Sequence, residues 1–251
     1  MGHSTFAFEQ LLLPAECALC HGLLGERDAH PPQPNLTCAV CRTRFRTVRP
    51  PWCERCGQPE PNFGPCRLCA EWPAALKTVR SAVWLVEGAQ QAVYALKYGG
   101  LSRIADDLAL VTAPLRPRTD GAPALIPIPL APKRLQQRGY NQSELLARAL
   151  ARKWRIPVLP DLLSRTRETP TQTALTPGTR LANVAGAFQV RNVKCEMRNS
   201  AFRLSHCELI LVDDVFTTGA TLAEAARALE QAGAPRIHGV TFARAAIPDF
   251  T

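Results

Sequence analysis

Four Cys-x-x-Cys pairs stand before residue 70 of this chain: Cys17/Cys20, Cys38/Cys41, Cys53/Cys56 and Cys66/Cys69. The stretch that carries them is rich in Cys and Pro and shows no amphipathic periodicity. It cannot bury enough apolar surface to fold unaided, so metal must supply the folding energy. Zinc takes four soft ligands in a tetrahedron, and a Cys-x-x-Cys knuckle delivers two of them from one tight turn. Taken in order, Cys17, Cys20, Cys38 and Cys41 make one site, and Cys53, Cys56, Cys66 and Cys69 the other; interleaved pairing also satisfies the spacing. His21 and His30 could serve as ligands, though eight cysteines leave neither required. Four thiolates leave no open position, so the expected Zn²⁺ is structural. Gly57, directly after Cys56, suits a knuckle turn that needs positive φ. Cys195 and Cys207 lie outside any pair and read as ordinary thiols.

No apolar run approaches the ~18 residues of a membrane span, and the first residues lack a basic-then-apolar leader. A cytoplasmic location is therefore expected, and in that reducing compartment paired cysteines mean metal rather than disulfides. Net charge is +9, from 30 Lys+Arg and 21 Asp+Glu. Residues 1–80 hold 9 basic and 7 acidic side chains, and residues 81–251 hold 21 and 14. The excess therefore lies in the second part, where it favours a polyanion such as nucleic acid or a diphosphate, or simply solubility.

Texture divides the chain into a ribbon module at 1–75 and a larger unit at 76–251. In the latter Val79–Glu87 alternates like a strand, Ala89–Tyr98 reads as a helix, and Ala124–Ile128 is an apolar run. Asn141–Trp154 reads as a helix capped by Ser143, with Leu145, Leu146, Ala149 and Leu150 on one face. Residues 164–183 read as a long polar loop. Glu208–Val212 is a buried-strand run, Leu222–Ala232 a helix stopping at Gly233, and His238–Phe242 a further strand. Strands alternating with helices predict an α/β fold with a mostly parallel sheet and flanking helices.

The segment Leu209 to Leu222 carries the chemistry. Its strand delivers Asp213 and Asp214 to the carboxyl end, where open α/β sheets bind ligands. Thr217, Thr218, Gly219, Ala220 and Thr221 follow, small residues that let backbone N–H groups approach an anion at the opening of a helix. Carboxylates for two ribose hydroxyls beside a loop for a 5′-phosphate fit that layout. The segment resembles the phosphoribosyl pyrophosphate (PRPP) motif of type I phosphoribosyltransferases. Expelling pyrophosphate also needs positive charge, for which Lys133, Arg134 and Arg138 are candidates.

The string Ile126-Pro127-Ile128-Pro129 through Pro132-Lys133-Arg134-Leu135 to Arg138-Gly139-Tyr140-Asn141-Gln142 resembles ComF-type competence proteins. So do Leu96-Lys97-Tyr98 and the loop Arg165-Thr166-Arg167…Thr169…Gln172…Leu175…Arg180…Asn183…Gly186-Ala187-Phe188. The resemblance implies a zinc-ribbon N-terminus followed by a type I phosphoribosyltransferase fold. It implies that Asp213 and Asp214 contact the ribose, that residues 217–221 hold the 5′-phosphate, and that Lys133, Arg134 and Arg138 face the pyrophosphate with Mg²⁺. Arg165, Arg167 and Arg180 would belong to a closing loop, the first two as candidate catalytic residues, and Lys97 could also face the phosphates. A role in DNA uptake or DNA use is implied too, with single-stranded DNA and DNA-uptake proteins as partners. Arg148, Arg152, Lys153 and Arg155 beside Trp154 suit a single strand, although packing against the sheet is the readier role for Trp154. The alternative is a transferase moving ribose 5-phosphate to a nitrogen nucleophile, for which no acceptor pocket is evident.

Elemental analysis of the purified chain should return two zinc ions, and a strong chelator should unfold the ribbon module first, read by circular dichroism and proteolysis.

Overall fold

The computed structural model describes residues 16–25, 28–30, 33–59, 66–167, 186–191, 196–197, 200–201 and 204–246. Two-residue strands β1 (Ala29–His30) and β2 (Gln33–Pro34) pair antiparallel and lead to the short helix α1 (Ala39–Thr43). Strand β3 (Leu76–Trp84) is followed by α2 (Glu87–Tyr98) and α3 (Ile104–Thr112), and β4 (Ala122–Pro127) by α4 (Pro132–Arg138) and α5 (Gln142–Trp154). Two small antiparallel pairs come next, β5 (Leu163–Arg165) with β6 (Phe188–Val190) and β7 (Glu196–Met197) with β8 (Ser200–Ala201). Then come β9 (Cys207–Phe216), α6 (Ala220–Gln231) and β10 (Arg236–Arg244). The main sheet has the order β3-β10-β9-β4 with every pairing parallel. This is the α/β architecture expected from the sequence.

Strand β9 explains the layering. Leu209 and Leu211 enter a cluster with Leu222, Ala226 and Leu229 of α6, while Ile210 and Val212 enter another with Leu96, Leu108, Leu146 and Leu150 of α2, α3 and α5. A strand apolar on both faces belongs at the centre of a parallel sheet covered on both sides. The crossover through α5 therefore leaves on one face and α6 on the other, which opens a crevice at the carboxyl end of β9.

Several boundaries differ from the sequence reading. β3 runs from Leu76 to Trp84, about three residues earlier than expected. β9 continues past Val212 to Phe216, so both aspartates belong to the strand itself. α5 is capped by Asn141, whose side chain accepts from the Ser143 N–H at 3.1 Å, and not by Ser143. Helix α3 escaped the sequence reading because Asp106 and Asp107 interrupt its apolar pattern; Asp107 is buried, its carboxylate accepting from the Thr37 N–H and hydroxyl, both at 2.6 Å. The polar loop opens as β5, and its Thr169, Gln172, Leu175, Arg180 and Asn183, like Cys195, lie outside the described residues. Cys207 is buried as the first residue of β9. Among the described residues no helix is long and apolar enough to cross a membrane.

The cysteine-rich segment packs onto the sheet rather than hanging from it. Residues 46–48 run along the outer edge of β3: Trp84 N–H donates to Arg46 O at 2.8 Å, and Val48 N–H to Ala82 O at 3.0 Å. Further along, Arg55 places its guanidinium on the carbonyls of Leu76, Cys69, Trp72 and Pro73. From the sheet side Arg244, 0 % exposed at the end of β10, donates to Cys56 O at 2.8 Å and Gln58 Oε1 at 2.7 Å. Its guanidinium also lies 4.3 Å from the Phe216 ring centroid. Replacing it removes the donor to both of these buried acceptors. Arg244→Met should cost about 3 kcal/mol in urea unfolding of the zinc-loaded chain, with the sheet's circular dichroism retained.

Candidate functional site

The two cysteine sets gather as two tetrads, Cys17/Cys20/Cys38/Cys41 and Cys53/Cys56/Cys66/Cys69, in the order read from the sequence. A tetrahedral zinc with Zn–S bonds of about 2.3 Å requires Sγ–Sγ edges of about 3.8 Å. The observed edges are 3.8 Å for Cys17–Cys41 and Cys20–Cys38, 3.7 Å for Cys53–Cys69 and 3.5 Å for Cys56–Cys66. These sulfurs are thus spaced for a shared metal. Backbone N–H groups of Leu19 and Cys38 point at the Cys17 sulfur, and that of Cys41 at the Cys38 sulfur, which suits thiolates. His21 takes no place in either set, and Gly57 has φ +67°, as the knuckle turn needs.

At the carboxyl end of β9 the adjacent carboxylates are held differently. Asp214 pairs with the Lys97 ammonium from the last turn of α2 at 2.5 Å and accepts from Gln142 Nε2 at 3.2 Å. Burial pushes its pKa up, but the Lys97 charge and these hydrogen bonds outweigh it and hold the carboxyl below its ordinary value. Asp213 accepts from Ser143 Oγ at 2.8 Å and from the Asp214 N–H at 2.9 Å. Burial first, and then the Asp214 charge, push Asp213 up to about 7. Gln142 and Ser143, at the start of α5, were not singled out as carboxylate partners in the sequence. Their signal was the Asn141 cap, which turns that helix start toward the strand ends. Lys97 lies in the last turn of α2, and its ammonium meets a carboxylate rather than open solvent.

Residues 217–219 form the turn after β9, and Ala220 opens α6. Gly219, at φ +79°, is the N-cap residue, and no side chain caps the helix there. A Cβ at Gly219 would meet Trp72 Cζ2 at 2.5 Å and Phe216 Cε2 at 2.8 Å, so the residue must be glycine on two counts. Trp72 follows the second tetrad, lies edge-on to Phe216 at 6.2 Å, and is buried. The loop therefore rests on the second cysteine module. Thr218 is buried, and its hydroxyl accepts from the Ala220 N–H at 3.5 Å.

Of the basic candidates, Arg138 bonds Gln142 and stacks over Tyr98 at 5.1 Å, which places it beside the carboxylates. Arg165 lies over Phe188 at 5.5 Å; burial, and then the Arg134 charge, disfavour its protonated form, while Asp213 favours it. Arg165 is thus within electrostatic reach of both Arg134 and Asp213. Lys133 and Arg167 are exposed. The stretch on α5 does not form an open stacking groove: Trp154 is buried with its Nε1 donating to Ala113 O at 2.9 Å. Arg148 pairs with Glu144 and Arg152 with Asp106.

Comparison with known proteins bears on this arrangement. Residues 8–70 match the family model "Double zinc ribbon domain". The "DNA utilization protein YhgH" of Shigella flexneri is 30% identical over 207 residues, 80% of this chain and 86% of that protein. The chain belongs to the ComF family. The "Competence protein ComFC" of Bacillus subtilis is 29% identical over 206 residues, 78% of each chain, and the "Competence protein F" of Haemophilus influenzae is 38% identical over 122 residues, 49% of this chain and 50% of that one. As expected of the family, the cysteine-rich segment is a zinc ribbon ahead of an α/β unit.

A raised Asp213 pKa fixes the sign of a pH effect. The folded chain holds this proton more tightly than the unfolded one, so stability falls as pH rises from the ordinary carboxylate range to about 7. Asparagine keeps the acceptor for Ser143 and cannot ionise. Asp213→Asn should lose about 1 kcal/mol less than the parent between pH 6 and 7, measured by urea unfolding of the zinc-loaded protein.

Proposed function

We propose that this ComF-family chain binds PRPP with Mg²⁺ at the carboxyl end of β9 and serves DNA uptake or DNA utilisation by handling single-stranded DNA. The observation that carries the ligand reading is the pair Asp213/Asp214 held beside a threonine-rich turn that runs into an uncapped helix. In this reading the two carboxylates accept from the ribose hydroxyls, and Lys97 keeps Asp214 ionised for that purpose. Thr217, Thr218, Gly219, Ala220 and Thr221 hold the 5′-phosphate with backbone N–H groups and the positive end of α6. Lys133, Arg134 and Arg138 face the pyrophosphate, and Mg²⁺ would neutralise its charge. Residues 1–75 form the ribbon module and 76–251 the ligand-binding unit, in the cytoplasm. The DNA reading is supported by the names of the YhgH and competence relatives and by the net charge of +9.

A second reading is transfer of ribose 5-phosphate to a nitrogen nucleophile, breaking the bond to pyrophosphate. It is favoured by Arg165, whose charge lies near Asp213 and Arg134, where a departing pyrophosphate would need it. Arg165 and Arg167 would then join Asp213 and Asp214 as catalytic residues.

Calorimetric titration of PRPP with Mg²⁺ into the zinc-loaded chain should show one saturable site, and Asp213→Ala/Asp214→Ala should abolish it. Heat absent from the parent protein would overturn the ligand reading. Pyrophosphate release with an added base or amine would move the balance to the transferase.

A further inference from the structure

Between Cys38 and Cys53 the chain holds Arg42, Arg44, Arg46 and Arg49 and not one Asp or Glu. Arg42 is engaged inward, with Asp28 and the Thr37 carbonyl. The other three face outward for a structural reason. Phe45 turns in against the Phe242 ring at 5.5 Å, and Val48 is buried beside it in sequence. The backbone of 46–48 is meanwhile fixed along β3 by the hydrogen bonds at Ala82 and Trp84. Arg44, Arg46 and Arg49 are thereby left exposed around a cavity of about 710 Å³ that Pro51, Pro59 and Trp84 also line. Among the described residues none of the three makes an ion pair.

Position adds to charge. Trp84 ends β3, and it stands in register with Arg244 of β10, which stands in register with Phe216 of β9. The cavity thus opens at the same end of the sheet as the threonine-rich turn, two strand spacings or about 10 Å across. We infer that the groove of Arg44, Arg46, Arg49 and Trp84 is where a single nucleic-acid strand lies, phosphates on the arginines and a base against the indole. This rests on the single-stranded DNA reading above and gives it a location. Three unopposed guanidinium groups in six residues suit a phosphodiester backbone, and a half-buried tryptophan beside them suits an unstacked base. A stiff duplex presents its bases stacked and paired, so a pocket of this size admits a single strand more readily.

The test is anisotropy titration of a labelled 20-nucleotide oligothymidylate with the full zinc-loaded chain, over a range of salt. Arg44→Gln/Arg46→Gln/Arg49→Gln should weaken binding by about 10- to 100-fold and flatten the log–log salt slope by about 2, from three lost phosphates at ~0.7 each. Trp84→Leu should weaken binding about tenfold with the salt slope unchanged. Arg148→Gln/Arg152→Gln, which removes charge from α5, should stay within about twofold of the parent. Zinc content and melting temperature, measured on each variant, establish that it is folded. A folded triple variant that binds like the parent overturns the groove and leaves the DNA reading standing. Equal affinity for duplex of the same length overturns the single-strand assignment. A parent chain that binds no oligonucleotide overturns the DNA reading itself.

Discussion

A guanidinium sealed from water is costly unless it is paired, and in this protein Arg244 is sealed completely, with both terminal nitrogens bonded and its Nε left without a hydrogen bond. It sits where three things meet: the end of β10, the ring of Phe216 before the threonine-rich turn, and the second cysteine tetrad. Its hydrogen bonds go to Cys56 O and Gln58, so its partners come from the ribbon. Four thiolates on one Zn²⁺ carry a net charge of −2, and burial, which disfavours the Arg244 cation, is opposed by the nearby cysteine charges. The ribbon folded against the sheet thus both buries Arg244 and supplies the partners that offset the burial of its charge. Trp72, leaning on Gly219, transmits the same dependence to the turn. In this molecule the metal module is part of the wall behind the crevice at the carboxyl end of β9.

The carboxylate pair shows how two neighbours of identical chemistry are set apart. Asp214 faces the layer of α2 and α5, where Lys97 and Gln142 reach it. Asp213 has only neutral donors, Ser143 and a backbone N–H. One charge is fixed and the other is poised, because the Lys97 ammonium pairs directly with Asp214 while Ser143 and a backbone N–H serve Asp213.

Much of this was legible in advance because the informative residues were local. Cys-x-x-Cys spacing announced two four-cysteine sites while leaving their pairing open, and the run from Leu209 to Leu222 displayed strand, turn and helix in order. What escaped depends on residues far apart in the chain. The role of Lys97 requires α2 to end beside β9. The inward turn of Trp154 depends on the Ala113 carbonyl, which follows α3. Helix α3 hides its apolar face behind two aspartates, one of which is buried only because Thr37 of the ribbon meets it. Summing charge over residues 1–80 also concealed the arginine groove, since acidic residues elsewhere in that range cancel it on paper and not in space.

The strand order has a further consequence, for synthesis. β3 is made first, yet its sheet partner β10 is made last, and Ser81 meets Thr241 across 160 residues. At roughly 5–20 residues per second a ribosome takes on the order of ten seconds to cover that interval. Through that time β3 has no neighbour in the main sheet, and its Leu76, Val79 and Val83 have no completed core to enter. Residues 46–48 and the Arg55 carbonyl, which accepts from the Val79 N–H, have already emerged and are backbone partners that this early strand could recruit while it waits. The order of emergence thus gives the ribbon segment a place at the start of folding, as a temporary companion to a strand whose permanent one does not yet exist.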